Sequence, residues 1–264
     1  MGPLVEPGSQ AEQVGRLILA GFAVIALPAL PFGAYLVYPF AILTTWFHEM
    51  GHGMTALVLG QQFERLLIFA NGSGVAESYL SVDASRFTRA TIAAGGPIAP
   101  SLAGAALIVA SAHRRAWRPA LWLTSAAIFA SVIVYVRSPV GYAVLPLVAA
   151  GIAVAAWKAP PGLARFLLQF LGILGAMSML RDFNYLFTEE AVIGGRRILS
   201  DTGQIEAALF LPHWVWAALI LLVSALLIGA SLRYALSDRR RTALSSPRRP
   251  ANVLQFKRDS DRTR

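Results

Sequence analysis

Seven long apolar stretches dominate this chain, at about residues 16–36, 38–60, 89–111, 116–136, 139–157, 163–186 and 212–236. At 1.5 Å per helical residue, each can cross a hydrocarbon layer of roughly 30 Å, or cross it with slight local thinning. The pattern predicts an all-α polytopic membrane protein with about seven transmembrane helices. The division between the first two stretches is the least sharp, because Pro28, Pro31 and Gly33 interrupt one nearly continuous apolar region. With 56% apolar residues, 14% charged residues and a mean hydropathy of +0.58, neither a disordered chain nor an ordinary soluble domain fits.

The charge is concentrated at one end. Residues 237–264 hold nine basic and three acidic residues, so they supply +6 of the net +9. What remains is close to neutral and has no distributed basic face, which argues against nucleic acid as a partner. The layout is therefore a short exposed leader (1–15), a membrane-embedded domain (16–236) and a basic cytoplasmic tail (237–264). The leader has neither the basic start nor the short apolar core of a cleaved signal. Counting back from the tail through seven spans puts Arg114, Arg115, Arg118, Lys158 and Arg165 on the cytoplasmic side. The amino terminus and the loops at about 61–88 and 187–211 then lie outside, in what the resemblance described below makes a bacterial cytoplasmic membrane.

Two loop segments carry local signals. Asn71-Gly72 and Gly74, between Leu66–Ala70 and Val75–Leu80, predict a small extracytoplasmic β-hairpin over 66–80 at the membrane surface. Farther on, SDTGQIEAALFLPHW reads as a short helix capped by Ser200 or Asp201, leading through Pro212 to the last span. Trp214 and Trp216 suit an interfacial belt.

Ionisable residues inside apolar spans are costly unless paired, hydrated or ligating, so the few present are informative. Only Glu49 and Asp182 among the acidic residues, and only His48 and His52 among the histidines, lie well inside a span. Three of the four form one pentapeptide, His48-Glu49-Met50-Gly51-His52. On a helix, positions i and i+4 share a face, so both imidazoles can address one ion. Glu49 sits about 100° around the helix, where it can take a proton from water activated by that ion. The chain has no cysteine, so a transition-metal site must use His, Asp or Glu, and zinc is the cofactor this pattern implies. A catalytic zinc takes three protein ligands. Asp182, the only other carboxylate at membrane depth, is the expected third. Asp201 reads better as a helix cap and His213 as an interfacial residue, while His113 lies among cytoplasmic arginines.

These residues resemble the site-2 protease family of intramembrane zinc metalloproteases, and more closely its compact bacterial relatives. The resemblance rests on FHEMGHGMTALVLG at 47–60, the hairpin sequence NGSGV, AGGPIAPSLAG at 94–104, Asp182 in a late span, and SDTGQIEAALFLPHWVW. It implies that Glu49 is the general base, that His48, His52 and Asp182 hold zinc, and that Gly96-Pro97 opens a following span. The implied reaction is hydrolysis of a peptide bond in a membrane-protein or peptide substrate within the lipid bilayer. Pro100 stands where the family has Asn, and Phe183 follows the aspartate where the family has Gly. Two other functions use the same residues: an inactive metal-binding scaffold for membrane clients, and a transporter with His48, Glu49, His52 and Asp182 as an ion relay.

Overall fold

The computed structural model describes residues 10–27, 30–181 and 183–245. Nine helices are present among them: α1 (Gln10–Ala26), α2 (Gly33–Val58), α3 (Arg86–Ala112), α4 (Trp117–Val134), α5 (Pro139–Lys158), α6 (Pro161–Arg181), α7 (Phe183–Leu186), α8 (Asp201–Ala208) and α9 (His213–Ser245). Two antiparallel hairpins interrupt them, β1 (Gln62–Ile68) with β2 (Gly74–Tyr79), and β3 (Glu190–Ile193) with β4 (Arg196–Leu199). Leader residues from Gln10 onward are thus already helical. At the other end α9 continues past its apolar part, which ends at Leu236.

Five helical segments among the described residues are long and apolar enough to cross a membrane: Arg86–Ala112, Arg114–Val134, Pro139–Lys158, Pro161–Leu186 and His213–Leu236. This falls short of the expected seven, and the difference lies in the first two stretches. The apolar part of α1, Val14–Ala26, is too short to span unaided. Helix α2 has the length, at 26 residues, but His48, Glu49 and His52 in one turn lower its apolarity.

Helix α3 is the hub, packing on α2, α6, α8 and α9. Small residues let it approach α6 closely. A Cβ on Gly104 would lie 2.6 Å from the Gly172 carbonyl oxygen, and one on Gly175 would lie 2.6 Å from that of Pro100. Such backbone proximity is how helices associate where lipid removes the hydrophobic drive. Pro100 therefore faces the α6 interface. Gly96-Pro97 sits inside α3 rather than opening a span, because the helix starts ten residues earlier, where the Ser85 side chain accepts the Thr88 N–H.

The first hairpin forms where the sequence predicts it. Its outer neighbour is the α4–α5 connection: Leu66 N–H donates to Tyr135 O and Arg137 N–H to Leu66 O, each at 2.9 Å, while Ile68 N–H donates to the Ser138 hydroxyl. Leu66 thus points its backbone groups away from β2, so Leu67 next to it points toward β2, opposite Val75. Along β2, backbone groups of Gly74, Ala76 and Ser78 are left on the edge that β1 does not use. That edge faces the site described next.

Candidate metal centre

Helix α2 carries His48 and His52 one turn apart, with ring centroids 4.9 Å apart and Nε2 atoms 3.2 Å apart. The carboxylate that meets them is Asp201, the first residue of α8. Its Oδ2 is 3.0 Å from His48 Nε2, and its Oδ1 is 3.2 Å from His52 Nε2. One ligand atom from each of the three lies within 4.8 Å of the others. Ligands held 2.0–2.1 Å from a tetrahedral zinc ion are about 3.3 Å from one another, so three donors this close could hold one metal ion. Asp182, expected as the third ligand, lies outside the described residues.

Three further observations fit a cation. His52 Nδ1 is 2.8 Å from the Ile92 carbonyl oxygen, which can only accept, so Nδ1 carries a proton and Nε2 is the nitrogen left to face an ion. The Oδ2 of Asp201 is buried and makes no hydrogen bond despite its approach to His48. Burial opposes the charged form of Asp201, yet the imidazoles of His52 and His48 hold its carboxyl well below the ordinary carboxylate range. An anionic oxygen and two imidazole nitrogens converging on one point form a donor set for a divalent metal.

The sequence signal that hid Asp201 is its neighbour. In Ser200-Asp201 either residue can cap a helix, and here Ser200 does so, accepting Gly203 N–H at 3.0 Å. Asp201 is thereby released to point inward. Its backbone N–H donates to the Tyr185 hydroxyl at 3.2 Å, and Thr202 Oγ1 donates to Leu186 O at 2.7 Å. These bonds tie α8 to α7 beside the α2 imidazoles. His213, the other competitor, instead pairs with Glu206, its Nδ1 and its backbone N–H both on Oε2 at 2.8 and 2.7 Å.

Glu49 is 6% exposed and faces the first hairpin, with the Ala76 backbone N–H hydrogen-bonded to its carboxylate. Gly74 makes room for it, since a Cβ there would come within 2.9 Å of Glu49 Oε1. The hairpin turn is fastened to α2 on either side: Tyr38 OH donates to Ala70 O, and Thr45 Oγ1 to Gly72 O. Two cavities of about 170 and 210 Å³ border His48, Glu49 and Tyr185, and the first also reaches His52, Asp201 and the β2 edge.

Gly96 sets the His52 ring. A Cβ there would lie 2.1 Å from Nε2 and 2.3 Å from Cε1, so α3 can pass the imidazole only without a side chain at this position. Gly96→Ala should displace the ring and weaken zinc binding by about 10- to 100-fold, the range for losing support of a ligand. Competition with a chromogenic chelator measures it.

A family model described as Peptidase M50B-like matches residues 17–231. Comparisons with curated proteins and with solved structures found no match.

Proposed function

We propose, from the premise that this chain belongs to the Peptidase M50B-like family, the site-2 proteases, that it is an intramembrane zinc endopeptidase acting on membrane-associated substrates. Family membership and the five apolar helices make it an integral membrane protein. The observation that carries the reading is the convergence of His48 Nε2, His52 Nε2 and the Asp201 carboxylate with Glu49 alongside. His48, His52 and Asp201 are the residues that would hold zinc, with Asp201 in the role expected of Asp182. Zinc bound there supplies Lewis-acid polarisation of a peptide carbonyl and lowers the pKa of water toward 7.

Glu49 then acts as the acid–base group. It takes a proton from the attacking water and returns it to the leaving amine, one positioned carboxylate serving both steps. A transmembrane substrate helix has its carbonyls tied in internal hydrogen bonds, so the segment to be cut must first unwind. The free edge of β2 offers that segment replacement partners at Gly74 and Ser78, and at the carbonyl of Ala76, by strand addition. The basic tail after residue 237 stays on the cytoplasmic side of the membrane by the excess of Lys and Arg there.

The test is cleavage of a single-span reporter protein by the full chain reconstituted with zinc in lipid vesicles. Wild type should cut within or beside the reporter's apolar segment. Ser78→Pro removes one free-edge donor while leaving the metal ligands alone, and should lower cleavage about tenfold with zinc content unchanged, the loss of one substrate hydrogen bond being worth about 1–1.5 kcal/mol. Normal cleavage by Ser78→Pro would remove the strand-addition step, and no cleavage by wild type would remove the peptidase reading.

A further inference from the structure

The second hairpin stands over the same cleft, and nothing in the chemistry above uses it. Its turn is Gly194-Gly195, with φ of 58° and 78°, the two consecutive positive values that a tight two-residue hairpin turn requires. The tip rests on the first hairpin: a Cβ on Gly194 would lie 2.6 Å from Phe69 Cζ. The root is fastened beside the metal centre, where Ser200 N–H donates to Glu189 O at 2.8 Å and the Ser200 hydroxyl donates to Thr188 O. Held at both ends, β3–β4 bridges from Asp201 to Phe69.

Its register decides which side chains look into the cleft. Ala191 pairs with Ile198 and Ile193 with Arg196, so these four share one face of the hairpin. Ile193 and Ile198 border the cavity that contains His48, Glu49, His52 and Asp201, and also the gap to Leu67, Val75 and Glu77 of the first hairpin. Both are β-branched and therefore restricted at χ1. The cavity they help close holds about 170 Å³, and Ile193 also borders the neighbouring one of about 210 Å³ along Thr45, Gly72 and Gly74. It has room for a short extended stretch of chain with small side chains.

We propose that Ile193 and Ile198 are specificity-determining residues: they form the outer wall of the substrate groove opposite the β2 edge and restrict the residue beside the scissile bond to Gly, Ala or Ser. The proposal rests on the peptidase reading of this cleft for its substrate class, but the wall can be tested apart from turnover. The chain has no cysteine, so Val75→Cys, which borders both the catalytic cavity and the inter-hairpin gap, gives a single reporter thiol. In the full chain, Ile193→Ala with Ile198→Ala should speed its labelling by a bulky maleimide several-fold and leave its reaction with a small methanethiosulfonate unchanged. Ile198→Trp should slow the maleimide.

On the native background, two single-span reporters differing only by Ala or Phe at the mapped cleavage position give the second readout. Wild type should prefer Ala by at least about tenfold, as a pocket of fixed size does against an oversized side chain. The double alanine variant should bring the two close to parity by raising cleavage of the Phe reporter. Labelling that ignores all three substitutions, or an Ala-to-Phe ratio that the double variant leaves unchanged, overturns the proposal. Labelling that responds as expected while no form of the chain cleaves either reporter supports the wall and sinks the peptidase reading, so the two failures are distinct.

Discussion

Glu49→Gln should abolish measurable peptide-bond hydrolysis while zinc stays bound. Glutamine keeps the size and polarity of the side chain but cannot accept the proton of the attacking water. Positioned acid–base groups contribute about 10²- to 10⁴-fold to rate, equivalent to about 3–5 kcal/mol of barrier. Glu49 lies beside the His48, His52 and Asp201 donor set and outside it, so metal content measured by atomic spectroscopy should match wild type. This pairing of lost turnover with retained zinc separates a peptidase from the other two functions. An ion relay would have no hydrolysis to lose, and a scaffold would show the same silence in wild type. Loss of zinc in Glu49→Gln would make the glutamate a ligand and overturn its role as base.

Asp201→Asn should cost zinc itself. The substitution removes the negative charge from a buried position between two imidazoles, and an amide oxygen is a much poorer zinc ligand than a carboxylate. Supporting groups one layer out are worth about 10- to 100-fold in metal affinity, so a ligand should exceed about 100-fold. Asp182→Asn, measured in parallel, should keep zinc near the wild-type level. The opposite pattern, with zinc lost from Asp182→Asn and retained by Asp201→Asn, would return the third-ligand role to Asp182. Both variants need only metal titration of the purified chain, so the result does not depend on finding a substrate.

Much of the site can be read from the sequence because one helix carries most of it. The i, i+4 spacing of His48 and His52 puts two ligands on one face whatever surrounds the helix, and Glu49 follows by its 100° offset. The first hairpin is equally local, fixed by Asn71-Gly72 between two apolar runs. Asp201 is different in kind: only tertiary packing brings α8 to α2, and its local context, after Ser200 and at a helix start, has an ordinary explanation in capping. Membrane depth points to Asp182, whereas Asp201 approaches the imidazoles from α8, a short helix outside the five apolar segments. The second hairpin left a trace in Gly194-Gly195 between Val192-Ile193 and Ile198-Leu199, but strands of four residues give too few alternating positions to stand out. Five of the seven expected spans stand out among the described residues for a related reason: His48, Glu49 and His52 make α2 less apolar than its length suggests.

The tie between α2 and α8 has a bearing on biogenesis. His48, Glu49 and His52 leave the ribosome early, but the aspartate that meets them follows four more long helices and two hairpins. On the peptidase reading, a nascent chain halted anywhere before residue 201 has Glu49 and both imidazoles without the third donor, and should cut none of its neighbours. On the same reading, hydrolytic competence arrives only when the last quarter of the polypeptide has threaded back against its beginning, so that finishing synthesis would serve as the activation step.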